Sequence, residues 1–377
     1  MAGQLIKRGK ATWLVRIPLG RDVDGKRIYH NHTVKGIKKD AERYRTQKLR
    51  ELDTETFVEA SRQTVGLYLR EWLRETVSPR VRTRTLADYQ ALAERHLIPA
   101  IGHRSIAQLT PAEIQKVYAE MQARGLSPRT IRYAHSVLHN ALEQAVRWRL
   151  LARNPAHLVT LPRRVRREMR SLSADEAGQL LSASAGTRFE ALWALLLSTG
   201  LRPGEALALR WSDFSGERIH VQRSLTWTKG RGPEMVDPKT AKARRVVSVP
   251  LSVGRLLQRH RVEQVSERLK AGTEWRDLDL VFSSIRGEPL EWRVVSRRYF
   301  QPLRRAANLH GLRPYDLRHS CASLLLAAGE NVKVVSERLG HASAALTLDV
   351  YSHVLPHMQQ SAADRMEALL FTRLPAQ

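Results

Sequence analysis

Between positions 161 and 170 the sequence reads Leu-Pro-Arg-Arg-Val-Arg-Arg-Glu-Met-Arg, five arginines in ten residues. A like-charge run of that density repels itself and resists desolvation, so no hydrophobic core runs through it. The chain must fold on either side of a basic strap. Its 377 residues also exceed what one ordinary core organises, at roughly 150 residues per domain. The bias extends to the whole chain, where 63 Lys and Arg oppose 37 Asp and Glu for a formal charge of +26. Such an excess calls for a polyanion, either nucleic acid or an acidic membrane surface. The longest apolar run, 191–197, falls far short of the roughly 20 residues a spanning helix needs, and the N-terminus carries no apolar signal segment. Nucleic acid in the cytoplasm is therefore the expected partner, with no membrane. The single cysteine, Cys321, excludes an internal disulfide and a cysteine-based zinc site. Its neighbours Ser320, Ala322, Ser323 and Leu324 mark it as a small buried residue on a helix.

Residues 1–60 read as a small β-sheet followed by a helix. Thr12 to Ile17 and Arg27 to Val34 alternate with the strand period, and Asp24-Gly25 between them is a hairpin signal. A charged helix from about Lys38 to Leu52 can cover one face and leave the other basic, with Lys7, Arg8, Arg16 and Arg27 as candidate phosphate contacts. His30-Asn31-His32 spells the letters of a nuclease motif, but no cysteine or histidine pair at metal spacing stands beside it.

From 63 to 161 the period becomes helical. Val65, Leu69, Trp72 and Leu73 form one stripe; Leu86, Tyr89, Leu92, Ala93 and Leu97 form a second, which Pro99 should stop. Thr110-Pro111-Ala112-Glu113 is a capping box, Gly125 a C-terminal cap, and Ser127-Pro128 opens a long helix carrying Ile131, Val137, Leu138, Ala141, Leu142 and Val146. Four helices with short joints predict an all-α bundle. Arg80, Arg82, Arg129 and Arg132 stand on its polar faces, and Arg163, Arg164, Arg166 and Arg167 of the linker 162–170 should lie along phosphates.

The remainder, 171–377, opens with a second capping box at Ser173 to Glu176 and an all-round apolar helix near 190–199. A strand pair is expected at about 218–226 and 244–249, then helices near 252–270, 291–308, 315–328 and 331–339. The fold class expected is α+β multidomain: small sheet plus helix, helical bundle, then a mainly helical domain with one small antiparallel sheet. This last part holds Arg202 in Thr-Gly-Leu-Arg-Pro-Gly-Glu, Arg318 in Asp-Leu-Arg-His, His341 in Leu-Gly-His and Tyr351 in Asp-Val-Tyr-Ser-His. Two guanidiniums and an imidazole can hold the charge that gathers on a phosphodiester under attack, without a metal, and a tyrosine can supply the nucleophile. Glu205 is placed to orient Arg202. The apolar face of Leu317, Cys321, Leu324 and Leu325 aims the Arg318 guanidinium away from the core.

The ordered set of an arginine, an Arg-His pair, a Gly-His pair and a tyrosine resembles the tyrosine recombinases, the phage-type integrases. The resemblance implies an arm-type DNA-binding domain at 1–60, a core-binding domain of the SAM-like kind at 63–161 and a catalytic domain at 171–377. It implies that Tyr351 attacks a DNA phosphate to form a 3′-phosphotyrosyl link and that four protomers exchange strands through a Holliday junction. Phosphodiester energy is kept in that link, so no cofactor is needed. Lys239, in Asp-Pro-Lys-Thr, matches the hairpin lysine that protonates the leaving 5′ oxygen, with Lys242 the competing choice. His341 would bond a non-bridging oxygen. The partners implied are double-stranded DNA with core and arm-type sites, a homotetramer, a DNA-bending protein and an excisionase, on the nucleoid of a bacterial host.

One position departs from the pattern. Tyr315 stands where the family has a histidine that assists deprotonation of the nucleophile, and a phenol of reference pKa about 10 is no ordinary base at neutral pH. His319 is about 100° around a helix from Arg318 and is the substitute to weigh. The apolar-rich tail around Met366 to Phe371 would dock on a neighbouring protomer or pack on its own domain. The competing functions are a type IB topoisomerase, which shares the arginines, lysine and tyrosine, and a DNA-binding regulator of this fold without chemistry.

Overall fold

A computed structural model describes residues 3–21, 24–53, 63–164, 169–228, 230–238, 244–341, 343–351 and 358–370. The chain divides into two compact units, Met1–Arg166 and Arg167–Gln377, and the division falls inside the arginine run.

The first unit begins with an antiparallel sheet of β1 (Gln4–Gly9), β2 (Thr12–Arg21) and β3 (Arg27–Lys35) in that order, backed by α1 (Lys38–Asp53). The edge strand β1 carries no alternating signal because five of its six residues are exposed, and it was not expected. Val15 and Ile17 are fully buried with Ala41 of α1. His32 and His30 pair across the sheet with Val15 and Ile17, which puts both rings on this covered face. There His32 stacks on Tyr44, centroids 4.4 Å apart, and His30 Nε2 lies 3.1 Å from the Tyr44 hydroxyl. Packing on α1 explains the His-Asn-His string.

Next come α2 (Val65–Trp72), α3 (Thr83–Leu92), α4 (Ile98–Ile101), α5 (Pro111–Ala123) and α6 (Pro128–Arg147). Two wide π turns, Leu73–Val77 and Ala93–Leu97, extend α2 and join α3 to α4. Pro99 therefore does not stop the helix, as the sequence had implied. It sits in the first turn of α4, directly after a turn whose shifted hydrogen bonding makes room for a residue without an N–H. The Thr110 capping box is formed in both directions, at 3.3 and 3.0 Å, and Ser127 caps α6. The bundle core gathers Tyr68, Leu69, Leu97, Ile114, Met121, Ile131, Leu138 and Leu142.

The second unit is built around α8 (Glu190–Thr199), whose residues from Ala191 to Leu197 are all buried, so no amphipathic stripe is visible in it. It packs on α7 (Ala174–Ser184), and α9 (Pro203–Leu207) follows it. The expected single strand pair is two ladders: β4 (Arg218–Val221) with β7 (Arg245–Ser248), and β5 (Ser224–Thr228) with β6 (Gly232–Val236). The break falls at 222–223, where Arg223 turns inward to pair with the buried Asp213. Helices α10 (Leu251–Ala271), α11 (Trp292–Val295), α12 (Gln301–Ala306), α13 (Asp316–Ala327), α14 (Val332–Leu339), α15 (Ala344–Tyr351) and α16 (Met358–Leu370) complete the unit. Both α10 and α13 pack on α8. Among the described residues no helix is long and apolar enough to cross a membrane.

Leu138 is fully buried, so Leu138→Ala should lower unfolding free energy by about 3 kcal/mol, whereas Thr110→Ala, which removes a cap, should cost about 1 kcal/mol. Urea unfolding midpoints followed by circular dichroism compare the two.

Candidate active site

Helices α8 and α14 end in the same way. Gly200 and Gly340 take left-handed conformations, φ 66° and 67°, and each turns the chain so that a polar side chain follows: Arg202 after the first, His341 after the second. Space is also tight at both glycines, so that a neighbouring side chain would have to shift. A Cβ at Gly200 would sit 2.4 Å from Leu339 Cδ2, and one at Gly340 would sit 3.0 Å from Arg245 Nη1.

Arg318, in the first turn of α13, joins the two ends. Its Nη1 donates to Gly200 O at 2.6 Å and its Nη2 to Leu339 O at 2.7 Å. The side chain is 2 % exposed, so the expectation that it points away from the core is corrected. Helical spacing ranked its neighbours well, but a guanidinium with two C-terminal carbonyls to satisfy is stable inside. Burial, then the charge of Arg202, lowers its pKa to about 10, which still leaves it protonated at neutral pH.

Arg202 is held between Glu205 and the second helix end. Its Nη1 donates to Glu205 Oε1 at 2.8 Å, its Nη2 to Gly340 O at 3.3 Å, and its backbone N–H to Glu205 Oε2 at 2.9 Å. Glu205 thus contacts Arg202, and it has a second partner that sequence reading missed. Arg245 grips the carboxylate with both Nη atoms, at 3.3 and 2.9 Å, and gives its Nε–H to Arg338 O at 2.7 Å. The signal was available: Arg245 and Val247 alternate along β7 and Val249 continues the pattern just beyond it, and an arginine at an inward position demands an acidic partner. Burial raises the Glu205 pKa, but the Arg245 hydrogen bonds and charge, with those of Arg202, hold it below the ordinary carboxylate range.

His341 Nδ1 lies 2.8 Å from Thr347 Oγ1, and Thr347 is fully buried on α15. Burial first, then Arg318 and Arg202, push the imidazole down to about 4, so it is neutral at pH 7. Tyr351 is the last residue of α15, one helical turn from Thr347 and therefore on the same side of the helix backbone. Its side chain lies outside the described residues. Tyr315 precedes α13 and is half exposed, its ring edge-on to His319 at 5.4 Å between centroids. Burial lowers the His319 pKa. Lys239 and Lys242 lie outside the described residues, in the segment 239–243 between β6 and β7. In the same unit a groove is lined by His220, Gln222, Arg223, Asp237, Arg244 and Arg245. Cys321 is buried on α13 with Sγ 3.5 Å from Ser198 O, and burial raises its pKa, a packing role.

Of the residues expected at phosphates, Lys7, Arg8, Arg27, Arg80, Arg82, Arg129, Arg163 and Arg164 are exposed. Arg16 lies over the Tyr29 ring at 4.1 Å, and Arg132 is half-buried with its Nε donating to Pro162 O at 2.8 Å. Those two are occupied by the protein itself. Arg166 and Arg167 lie outside the described residues.

Glu205→Ala removes a buried carboxylate that pairs with both Arg245 and Arg202 and should cost about 3–5 kcal/mol in urea unfolding. The depressed carboxylate adds stability above the pKa of the unfolded chain and loses it as pH falls through its folded value. His341 acts in the same direction: the unfolded chain takes the proton first as pH falls below 6.5, so stability is lost from there to about 4. Ring titration by NMR should place the His341 midpoint near 4, and His341→Gln should flatten the loss of stability across that window.

A family model described as the phage integrase family matches residues 170–358, and one described as the phage integrase N-terminal SAM-like domain matches 64–122. An integrase of Streptomyces ambofaciens is 30 % identical over 381 residues, covering 97 % of this chain and 95 % of the relative. A tyrosine recombinase XerC-like protein of Caldanaerobacter subterraneus subsp. tengcongensis is 28 % identical, covering 97 % and 98 %. Among solved structures, the Tn1549 transposon integrase in complex with circular intermediate DNA superposes with a TM-score of 0.67 at 21 % identity, over 80 % of this chain and 99 % of that one. A lambda integrase tetramer bound to a Holliday junction gives 0.54 at 19 % identity, over 90 % and 96 %. With the arginines, histidine and tyrosine all inside the matched region, the chain belongs to the phage integrase family.

Proposed function

We propose that this tyrosine-type site-specific recombinase cuts and rejoins duplex DNA through Tyr351, integrating and excising a mobile element. The observation that carries the assignment of residues is the convergence of Arg202, Arg318 and His341 on two adjoining helix ends, with α15 and its Tyr351 tied to the same point by the His341–Thr347 contact. In the reaction the Tyr351 oxygen bonds to phosphorus, the bond to the 5′ oxygen breaks, and that oxygen leaves with a proton, for which Lys239 is the donor. A 5′ hydroxyl of the partner duplex reverses the step and frees the tyrosine. Arg202, the more open arginine, contacts the non-bridging oxygens, while Arg318 fixes the cradle and adds positive potential. Tyr315 donates a hydrogen bond near the attacked phosphate, and the surrounding cations lower the pKa of the nucleophile.

The chain works in four parts: residues 1–60 on arm-type sites, 63–161 and 171–377 around the core site, and 162–170 as the strap along phosphates. Four protomers assemble on two duplexes, a reading supported by the lambda integrase structure, a tetramer bound to a Holliday junction. Met366, Leu369 and Leu370 on α16 are exposed, which favours docking of this helix on a neighbouring protomer over packing in its own unit. A DNA-bending protein and an excisionase would set direction.

Incubation with nicked duplex should trap a covalent adduct that resists denaturation, persists in chelator, and is lost in Tyr351→Phe. Exchange between two labelled duplexes distinguishes recombination from relaxation alone, and an adduct surviving in Tyr351→Phe overturns the assignment. Binding should weaken with salt at a log-log slope of about −0.9 per phosphate neutralised.

A further inference from the structure

Outside the active site, the helical bundle holds an independent cluster of ligating groups. His139 and Glu143 stand one turn apart on the same face of α6, and His157 faces them from the short turn Pro155–Leu158. One ligand atom from each lies within 4.8 Å of the other two. His139 Nε2 is 3.4 Å from His157 Nδ1 and 3.9 Å from Glu143 Oε1, while His157 Nε2 is 2.6 Å from Glu143 Oε1. Only one nitrogen of His157 can ligate a given ion. Ligand atoms around a tetrahedral zinc with bonds of about 2.0–2.1 Å are about 3.3 Å apart, and since one atom from each residue already lies within 4.8 Å of the others, a turn of the exposed His157 ring brings the three onto one ion. We propose that His139, Glu143 and His157 bind a divalent transition metal of the zinc type, with water in the fourth position, as a staple between α6 and the chain that leads into the arginine strap.

The surroundings are those of a supported site. Asn154, 5 % exposed, donates from Nδ2 to Glu143 Oε1 at 2.7 Å and to His139 O at 3.1 Å, and its Oδ1 accepts the Ala156 N–H at 2.9 Å. One side chain thereby orients the carboxylate, holds the helix at the ligand and caps the turn that presents His157. His135 belongs to the periphery, because its Nδ1 is 3.2 Å from the Tyr118 hydroxyl. Two histidines and a carboxylate are borderline ligands that suit zinc better than magnesium or calcium.

The position gives the metal a task. From His157 the chain runs along the bundle to the strap: Thr160 exchanges two hydrogen bonds with Gln115, at 3.2 and 2.8 Å, and Arg132 holds Pro162 O. An ion at His157 extends this lacing by one strong link and fixes where the strap departs.

Titration of the untagged, chelator-stripped full chain with zinc in a calorimeter tests this, with cobalt added separately for its visible absorption. Expected are one ion per chain, the intense bands of tetrahedral cobalt, and a raised Tm in zinc but not in magnesium. Affinity should fall at least about tenfold in His157→Gln and in Glu143→Gln, and stay unchanged in a His30→Ala, His32→Ala double variant. Absence of saturable binding to the natural chain overturns the site, as does binding unaltered in both ligand variants. Because the readout is binding and Tm, the result is independent of the strand-transfer assignment.

Discussion

The catalytic unit depends on the Arg318 guanidinium lying between the carbonyl ends of two helices. Each α-helix leaves its last carbonyls unsatisfied and carries partial negative charge there. Bringing α8 and α14 together end to end would be unfavourable without a donor between them. Arg318 supplies two N–H groups to Gly200 O and Leu339 O, Arg202 bonds Gly340 O, Arg245 bonds Arg338 O, and Arg338 bonds Ser198 O and Ser248 O. Four arginines thus use helix ends as counter-charges. Much of this cationic cluster is balanced by dipoles, with the buried carboxylate of Glu205 paired to Arg202 and Arg245.

That economy explains the charge state of His341. Cations whose partners are mainly neutral carbonyls keep their positive potential, and a nearby imidazole that took a proton would meet it while losing hydration. Its pKa falls for both reasons. A neutral ring has one N–H, so the tautomer decides what it can do. Where the Thr347 hydroxyl donates to Nδ1, the proton stands on Nε2 and the ring can donate to a phosphate oxygen. Glu205, by contrast, must stay ionised, and its two arginines ensure that.

The architecture was largely legible in the sequence because its signals were local: capping residues at Thr110, Ser127 and Ser173, the alternation of β2 and β3, the all-apolar α8. What escaped depended on tertiary partners. An edge strand of mostly exposed residues has no period to read, and the split between β4 and β5 follows from Arg223 meeting Asp213. Pro99 misled because its effect depends on the turn before it. In the site, the strings around Arg202, Arg318 and His341 were recognisable, yet the direction of Arg318 was not. Helical spacing says which face a residue occupies, not whether distant carbonyls wait there to receive it. Arg245 escaped because its role exists only beside Glu205, 40 positions away.

The cradle and the nucleophile are held very differently. Arg202 follows a left-handed glycine and is held by Glu205 and Gly340 O, while Arg318 is buried in the first turn of α13 with its guanidinium fixed by two carbonyls, the kind of preorganisation that electrostatic stabilisation of a phosphoryl transition state requires. Tyr351 instead ends an eight-residue helix, too short to be stable alone, that begins three residues after His341. Its attachment on the site side is the contact of Thr347 with His341, one turn from the tyrosine. Under the proposed assignment the same imidazole would serve both as a phosphate ligand and as an anchor of the helix that carries Tyr351. In that proposal a phosphate drawing on Nε2 would polarise the ring and strengthen the Thr347 bond at Nδ1, so substrate binding and seating of the tyrosine would reinforce each other through one ring.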